Sequence, residues 1–589
     1  MNALQSSIDD LKKNDRQWEA FTATGHVVVT APPGSGKTKL LSTRIAYDLE
    51  SLAGPQGVAG ITLTNAAAGE LRRRVNQLGV SPRANLFLGT VHSFVLRRVL
   101  LPFAEVCGQS DLVKREVATR KQINRAFREA IDLVYEDWED TRGVQTTVQR
   151  HRKMLADENE WMLAGGKIRA VASQYDRILA AQHLTDFDTL ISSAVDIVQS
   201  HTFVRNILVA EYPRIYVDEY QDLAPGLDRI IRLLCLEGEK RSQLFAVGDH
   251  DQAIYGWTGT RPELLHELSA HPAVRQPVRL TTNYRCARKI IDHASLLLGI
   301  EGVEGVSDGG QVQSVYCRAG ARGQAERAAD LAEQAIAEGT PAHEVGIFCP
   351  TSHYSQVVVD VFRRRGIPVR DNASPYSSAP VALFVEKLAA WVVHGEWGAE
   401  LSFSELIAEW RYFLRGELGD LSIELRLMQV VRDSKTPGNE PAFCFLERLL
   451  ESGLNQVEQD PAMAEDASAL AEMVEAFEGG GELADWRIAD LADRGMRDGR
   501  VAVYTVASCK GLEFDVSMIL GADEGMMPHF TSLYDDGKLA EDRRKFYVAV
   551  TRSRYKTCIF YSGFPEWASG KKGRMSGPSR FLREMGVIE

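Results

Sequence analysis

Short apolar, β-branched runs alternate with longer segments of helical periodicity along much of the chain. Residues 26–30 (HVVVT) predict a buried strand, and residues 39–50 predict a helix because their apolar positions recur at helical spacing. The same alternation returns after further strand-like runs at 58–64 and 214–217. Buried strands that alternate with helices are typical of parallel sheets covered by helices, so the pattern predicts an α/β fold.

A second alternation begins near Pro277 and resumes at residues 501–506 after a long helical interruption. This interruption is acidic, since residues 376–490 hold 22 Asp and Glu against 8 Lys and Arg, a net charge of −14. The whole chain of 589 residues carries −12, so the remainder is slightly basic. A polyanionic partner is therefore expected to bind outside the acidic segment.

The bulk composition excludes several classes of protein. Apolar residues make up 44% and charged residues 25%, as in globular proteins, and no apolar run is long enough for a membrane span. The N-terminus, MNALQSSIDD, lacks the pattern of a signal peptide. The eight cysteines are scattered without a CxxC pair, which argues against disulfides and structural zinc and favours a reducing cytoplasm.

The segment APPGSGKT, residues 31–38, stands between the first predicted strand and its helix, which is the context of a phosphate-binding loop. Two glycines let the backbone turn its N–H groups toward an anion, and the helix dipole adds to the attraction. Lys37 can reach the β- and γ-phosphates, and the Thr38 hydroxyl can ligate Mg²⁺. The predicted ATP-binding residues of this loop are Ala31, Gly34, Ser35, Gly36, Lys37 and Thr38.

Two adjacent carboxylates, Asp218 and Glu219, follow the strand-like run at 214–217. In a phosphate-loop enzyme the first holds the Mg²⁺ shell, and the second orients or deprotonates the attacking water. Gln252, on a later strand-to-loop turn, is a candidate sensor of the γ-phosphate. Gln17 precedes the loop and can read an adenine edge with its amide, although a lone glutamine is usually only solvated.

Polar and aromatic residues at other strand ends are candidates for nucleic-acid contacts. Thr64 and Asn65 stand where a strand ends and a helix begins, which suits phosphate-backbone contacts and equally suits an ordinary helix cap. His92 marks a third such edge. Tyr255 and Trp257, in a Gly-rich loop, are predicted to stack on bases, with a buried aromatic pair as the alternative.

In this order the motifs resemble those of the UvrD/Rep/PcrA helicases of superfamily 1. The matching stretches are Gln17, APPGSGKT, TLTNAAAGELRRRV, GTVHSF, YVDEYQD, VGDHDQAIYGWTG, NYR, SCKGLEF and RRKFYVAVTRS. The resemblance implies two RecA-like parallel-sheet domains, each interrupted by a mainly helical insert, with ATP in the cleft between them. The implied bounds are 1–99 and 183–276 for the first domain, 100–182 for its insert, 277–371 and 493–589 for the second domain and its flexible tail, and 372–492 for the second insert, called the acidic insert below.

The resemblance also assigns roles to individual residues. In the first domain it makes Lys37 and Thr38 ligands of phosphate and Mg²⁺, Asp218 a support of the Mg²⁺, Glu219 the catalytic base and Gln252 a contact of the γ-phosphate. In the second domain it makes Arg285 and Arg552 arginine fingers, Tyr284 a stacking partner near the adenine and Glu513 a contact of the ribose. Thr64, His92, Tyr255 and Trp257 would grip single-stranded DNA, and the direction of movement in this family is 3′ to 5′.

Three features depart from the family pattern. Leu63 stands where an aromatic residue is usual, and Ala507 replaces a usual histidine, so two DNA contacts are in doubt. The acidic insert is short for the family, and its charge is opposite to that of a surface that grips duplex DNA. It is expected to dock a protein partner, such as a nuclease or repair factor, or to restrain the motor, with an acidic solvated face as the alternative.

The leading interpretation is an ATP-dependent 3′–5′ translocase that binds single-stranded DNA and duplex junctions and unwinds duplex DNA in repair or replication restart. An alternative is the helicase subunit of an anti-phage defence complex such as Gabija, acting with a nuclease partner. From a different class, the chain would be a nucleotide-gated DNA-sensing interaction protein, although the complete set of hydrolytic residues argues against this. No contact with a membrane is expected.

Overall fold

The structure is a computed structural model, and two six-stranded parallel sheets dominate it. It describes residues 3–52, 54–80, 83, 85–256, 259–275, 277–371, 375–399, 401–415, 421–434, 440–496, 498–567, 572–574 and 576–589.

The first sheet has the strand order β3-β2-β4-β5-β1-β6. Its strands are β1 (Val27–Thr30), β2 (Val58–Thr62), β3 (Leu86–Thr90), β4 (Arg214–Val217), β5 (Gln243–Gly248) and β6 (Val278–Arg279). The helices of this part are Ala3–Leu11, Asp15–Thr22, Lys37–Ser51, Asn65–Gln77, Val91–Phe94, the π-helix Val95–Leu100, Leu101–Phe103, Phe187–Ser200, Thr202–Glu211, Pro225–Cys235 and Glu263–Ser269.

Apolar residues bury both faces of this sheet. In β1, Val27 and Val29 join one hydrophobic cluster and Val28 joins the cluster on the opposite face. Alternate side chains of a strand point to opposite faces, so an uninterrupted β-branched run is what a doubly covered sheet requires. Because every pairing is parallel, the carboxyl ends of the strands meet at one edge, where α/β sheets bind their ligands.

The second sheet has the strand order β7-β12-β11-β8-β10-β9, and all its pairings are parallel. Its strands are β7 (Gln311–Tyr316), β8 (Val345–Cys349), β9 (Val369–Asp371), β10 (Val501–Thr505), β11 (Phe514–Ile519) and β12 (Ser553–Tyr561). Its helices are Arg288–Leu298, Gly320–Ala337, Ser352–Arg364, Asp536–Val550 and Arg580–Glu584. A short parallel pair, Thr282–Asn283 with Glu304–Gly305, lies between the two sheets in the chain.

A helical insert interrupts each sheet. The first contains Arg120–Asp132, Val144–Lys153, Glu158–Ala164 and Gly166–Ala181, and a two-stranded pair, Glu116–Val117 with Leu184–Thr185, lies at its base. The acidic insert contains Pro380–Ala399, Phe403–Phe413, Leu421–Asp433, Ala442–Leu449, Gln456–Gln459, Ala464–Phe477 and Ile488–Gly495. Each insert has its own hydrophobic core, centred on the stacked rings of Phe127 and Tyr175 in the first and on the buried Trp410 in the second.

The α/β prediction is confirmed, and the two parallel sheets agree with two RecA-like domains. Val278–Arg279 pairs with β1 and completes the first sheet, although we placed the start of the second domain at 277. Val278 and Leu280 are apolar and pack into the core of the first sheet, which holds this segment there. The other domain bounds stay predictions.

None of the helices that the structure describes has the length and apolar character needed to cross a bilayer.

Candidate active site

The phosphate-loop candidate, residues 31–38, connects β1 to the helix Lys37–Ser51. Gly34 and Gly36 have φ angles of 70° and 83°, in the left-handed region that favours glycine. A Cβ atom on Gly34 would lie 2.6 Å from the Cβ of Arg285, and one on Gly36 would lie 2.7 Å from Nε2 of Gln17. Both backbone conformation and close packing therefore require glycine at these two positions. The buried Ala31 fits at the start of the loop without strain.

Side chains from both halves of the chain fix the shape of this loop, where the first half is residues 1–280 with the first sheet and the second half is residues 281–589 with the second sheet. The Gln17 amide donates a hydrogen bond of 2.9 Å to the carbonyl of Ser35, and the Asn283 amide donates one of 2.7 Å to the carbonyl of Pro33. The backbone N–H of Tyr284 donates to the carbonyl of Gly34 at 2.8 Å. Tyr284 is 48% exposed beside the loop, as a residue that stacks on a planar base must be.

The two carboxylates lie beside this loop at the end of β4. Lys37 Nζ donates a hydrogen bond of 2.8 Å to Oε1 of Glu219, and the Gln221 amide donates one of 2.6 Å to Oε2. Glu219 has φ 52°, a left-handed conformation that is uncommon for a residue with a side chain. A strained backbone that aims a carboxylate at a phosphate loop is typical of a functional position.

Burial and two nearby lysines, Lys37 and Lys510, shift the pKa values of Asp218 and Glu219 in opposite directions. Burial raises the pKa of Asp218, and the negative charge of Glu219 raises it further. Burial alone would also raise the pKa of Glu219, but Lys37 and Lys510 outweigh burial and hold that pKa below the usual range. Glu219 is therefore ionised at neutral pH, as a group that accepts a proton from water must be.

A chain of buried amides connects these acids to Gln252. The carbonyl oxygen of the Gln221 side chain accepts from the backbone N–H of Asp249 at 2.9 Å, and the Gln252 amide donates to the Asp249 carboxylate at 2.6 Å. Gln252 is 2% exposed. The ends of β4 and β5 therefore act as one hydrogen-bonded unit that runs from Glu219 to Gln252.

The two predicted arginine fingers make contacts within the second half of the chain. The Arg285 guanidinium donates to the Glu513 carboxylate at 2.9 Å, and Arg554 donates to the same carboxylate at 2.8 Å. Arg552 is buried and donates to the carbonyl of Val548 at 2.8 Å. Burial, with a contribution from the charge of Arg285, lowers the pKa of Arg552 to about 10. The bond from Arg285 uses only Nε, whereas Arg552 also donates through Nη1 to the carbonyl of Leu512 and through Nη2 to the hydroxyl of Thr551.

Sequence reasoning missed three residues that join the halves at this site, namely Lys510, Asp222 and Asn283. Lys510 of the second half contacts Asp222 and Glu219 of the first half, and Asn283 anchors the phosphate loop. All three lie inside motifs that carry the family resemblance: Lys510 in SCKGLEF, Asn283 in NYR and Asp222 in YVDEYQD. Their position in these motifs, at most three residues from a predicted site residue, is the available signal.

The residues present fit a magnesium nucleotide. Ser35 Oγ is buried and lacks a hydrogen-bond partner within the described part of the chain, in the middle of the loop. No group of three or more His, Cys, Asp or Glu converges on a metal site among the described residues. Thr38 and Asp218 are the residues that would hold Mg²⁺ together with phosphate oxygens, since Mg²⁺ typically takes one or two protein ligands and keeps several waters.

The candidate DNA contacts of β2 and β3 lie at the same edge of the first sheet. Thr64 Oγ1 accepts a hydrogen bond of 3.2 Å from the backbone N–H of Ala67, so Thr64 caps the helix that begins at Asn65. Thr90 Oγ1, at the end of β3, donates to Oε1 of Glu465 at 3.0 Å. His92 Nδ1 lies 3.8 Å from the same oxygen. Glu465, a carboxylate of the acidic insert, therefore faces the candidate DNA contact His92.

Of the two residues predicted to stack on bases, the structure describes Tyr255 and not Trp257. The Tyr255 hydroxyl donates to the carbonyl of Ala507 at 3.1 Å, and the Tyr255 ring is partly buried between the two halves. Trp257 lies outside the described residues. The structure thus brings Gln17, Lys37, Glu219 and Tyr284 together around the phosphate loop, and it places Tyr255 in the contact between the halves.

Comparisons with known proteins agree with this geometry. The model of the UvrD/REP helicase N-terminal domain matches residues 13–273, and the model of the UvrD-like helicase C-terminal domain matches residues 453–563. Together these two matches cover more than half of the chain.

Similar proteins include two ATP-dependent DNA helicases. PcrA of Staphylococcus epidermidis is 25% identical over 662 residues, covering 99% of this chain and 87% of the relative. UvrD1 of Mycobacterium tuberculosis is 26% identical over 663 residues, covering 97% of this chain and 85% of the relative. With both halves matched and the phosphate loop, carboxylates and second-half arginines in place, the chain belongs to the UvrD/REP helicase family and is an ATP-dependent DNA helicase of the UvrD/PcrA type.

Proposed function

We propose that this protein moves 3′ to 5′ along single-stranded DNA, driven by ATP, and separates duplex DNA in repair or replication restart. One observation carries the proposal: lysines from both halves of the chain converge on a single carboxylate, Glu219. Lys37 reaches it from the phosphate loop at 2.8 Å, and Lys510 lies 3.4 Å from its other oxygen. A catalytic base that both halves contact connects hydrolysis to their relative position.

The residues of the candidate active site have the following proposed roles in ATP hydrolysis. Lys37 leaves Glu219 to bind the β- and γ-phosphates, and Glu219 accepts a proton from the attacking water. Mg²⁺ bound by Thr38 and Asp218 would neutralise charge on the transferring phosphoryl group. Arg285 and Arg552 then approach from the second half, and their charges stabilise the transition state only while the cleft is closed.

The proposed DNA path follows the edge of the first sheet. Thr64, Asn65 and His92 supply hydroxyl, amide and imidazole groups for the phosphate backbone. Tyr255 and Trp257 remain proposed contacts of bases, which stack on aromatic rings with little sequence preference. Repeated closing and opening of the cleft would alternate the grip on the strand and advance it. The 3′ to 5′ direction rests on the family resemblance.

The first test is ATP hydrolysis by the purified chain with and without single-stranded DNA. We expect DNA to stimulate hydrolysis strongly, because the DNA contacts and Glu219 lie at the same edge of the sheet. Hydrolysis that is equally fast without DNA would contradict a DNA-driven cycle. The chain with Lys37→Ala is the control for contaminating ATPases, since it lacks the phosphate-binding lysine.

A second candidate is a helicase subunit that works with a nuclease partner in anti-phage defence. The charge of −14 on residues 376–490 favours it, because this charge suits a basic protein partner better than duplex DNA. The distinguishing result is DNA-stimulated hydrolysis without strand separation by the chain alone. Autonomous strand separation would favour the first proposal and remove the need for the partner.

A further inference from the structure

Lys510 belongs to the second half of the chain but makes its polar contacts with the first. It follows β10 and the short 3-10 helix Val506–Ser508, and its side chain is 8% exposed. The ammonium donates hydrogen bonds to the Asp222 carboxylate and, at 2.9 Å, to the carbonyl of Gln252. It also lies 3.4 Å from Oε2 of Glu219.

A buried ammonium needs nearby acceptors, since it loses its water on burial. The acceptors of Lys510 come from the segments that follow β4 and β5, which are the two ends that carry Glu219 and Gln252. A second hydrogen bond joins the same two segments, because the Tyr255 hydroxyl of the first half donates to the carbonyl of Ala507 at 3.1 Å. The segment 507–510 is therefore held against the catalytic edge at two points.

Two lysines share Glu219 in this arrangement. Lys37 is bonded to Oε1, whereas Lys510 and the Gln221 amide lie at Oε2. The proposed function, on which this step rests, requires Lys37 to leave Glu219 for the phosphates. Gln221 and Lys510 are then the two partners that keep the carboxylate in place, and only Lys510 comes from the second half.

We propose that Lys510 is a positioning residue that holds Glu219 in its catalytic orientation only while the two halves are in contact. In this way the closed cleft, and not nucleotide binding alone, enables hydrolysis. Lys510 acts through Glu219 and Asp222, so its loss should affect turnover much more than nucleotide affinity. This separates it from Lys37, whose loss should weaken nucleotide binding directly.

The test compares Lys510→Met, Lys510→Arg and the wild type for ATP hydrolysis at saturating single-stranded DNA. Methionine keeps an apolar stem and removes the charge, and we expect kcat to fall ~10-fold or more while KM for ATP changes less than ~3-fold. Arginine retains a cation that can reach the same acceptors, so Lys510→Arg should recover part of kcat. The control is Lys538→Ala, whose side chain is 62% exposed, and it should match the wild type.

Removal of Lys510 leaves Asp222 buried without its cation, which can destabilise the fold. If Lys510→Met unfolds, the double variant Lys510→Met/Asp222→Asn removes both charges and should still show a low kcat. A wild-type kcat in a folded Lys510→Met or double variant overturns the inference. So does an equal loss of kcat and ATP affinity without recovery in Lys510→Arg. Absence of ATP hydrolysis by the wild type would instead overturn the proposed function, whatever the variants do.

Discussion

Lys37 Nζ donates a 2.8 Å hydrogen bond to Oε1 of Glu219, so the proposed phosphate-binding cation and the proposed catalytic carboxylate neutralise each other in this structure. A nucleotide must separate this pair, because its phosphates compete for the same ammonium. The separation breaks the ion pair and frees Oε1 of Glu219 next to the phosphates, while Gln221 and Lys510 stay at Oε2. In the proposed cycle, nucleotide binding and activation of the base are therefore a single exchange of partners.

The first prediction concerns Glu219→Gln. The amide keeps the size of the side chain but cannot accept a proton from water, so kcat should fall ~10²–10⁴-fold. Affinity for ATP should be retained or improved, because Lys37 no longer has a carboxylate to leave. Steady-state hydrolysis and equilibrium binding of ATP measure the two effects. Glu267→Gln, at an exposed carboxylate of the same half, is the control, and substantial turnover by Glu219→Gln would show that another group is the base.

The second prediction concerns Gly36→Ala. Gly36 has φ 83°, and an added Cβ would lie 2.7 Å from Nε2 of Gln17. The methyl group should displace Gln17 from Ser35 and distort the loop, costing about 1–3 kcal/mol of nucleotide binding, or ~5- to 150-fold in Kd. Isothermal titration with ATP measures this loss.

Gly69→Ala is the matched control for that variant. Gly69 lies inside the helix Asn65–Gln77, and an added Cβ there would have no neighbour within 4 Å among the described residues other than the nearby backbone of its own helix. Alanine is favoured over glycine inside a helix, so this change should stabilise the fold by about 1 kcal/mol and leave ATP affinity unchanged. Equal ATP affinity in both variants would mean that the loop tolerates a side chain at position 36.

The third prediction concerns the contact of Glu465 with Thr90 and His92. This carboxylate lies where a DNA phosphate would be bound if Thr90 and His92 contact DNA. Glu465→Gln should strengthen binding of single-stranded DNA ~3- to 10-fold, because it removes a negative charge that competes with phosphate. Fluorescence anisotropy of a labelled oligonucleotide at a fixed salt concentration measures it.

Glu478→Gln controls for the change in net charge, since Glu478 is an exposed carboxylate of the same insert. It should increase affinity for DNA much less than Glu465→Gln. Equal increases in the two variants would show that only the total charge of the insert matters and that the contact with Thr90 has no specific effect on DNA.

The fourth prediction is a pH dependence of stability due to Asp466. Burial raises the pKa of this carboxyl from 3.8 to about 6, while the side chain accepts a hydrogen bond of 3.0 Å from the backbone of Val381. The folded state therefore holds the proton more tightly than the unfolded state. The contribution of this group to the free energy of unfolding is fully present below pH 4 and is lost as the pH rises through 6. The total loss is about 3 kcal/mol.

Asp466→Asn should remove that loss, because an amide stays neutral and still accepts from Val381. We expect the variant to match the wild type at pH 4 and to unfold at a higher temperature at pH 7–8, in thermal unfolding curves recorded across this range. Asp485→Asn, at an exposed position of the acidic insert, is the control. A variant that is less stable than the wild type at pH 8 would show that the ionised carboxylate is needed there.

Local sequence determines the strands and the positions at strand ends of the phosphate-loop candidate and the paired acids, and the structure confirms these placements. The strands, the phosphate loop and the paired acids each depend on a few consecutive residues, whose side-chain period and backbone freedom suffice to identify them. Contacts between distant segments lie outside such patterns. Lys510 and Asp222 are 288 positions apart, and Thr90 and Glu465 are 375 apart, so only the tertiary fold brings them together. The placement of Val278 in the first sheet likewise depends on packing against β1.

The most direct test of the account is strand separation of duplex DNA with a single-stranded tail at either the 3′ or the 5′ end, in the presence of ATP and Mg²⁺. We predict separation of the 3′-tailed duplex by the wild type, little separation of the 5′-tailed duplex, and none by Glu219→Gln. Preferential separation of the 5′-tailed duplex, or separation that persists in Glu219→Gln, would contradict it.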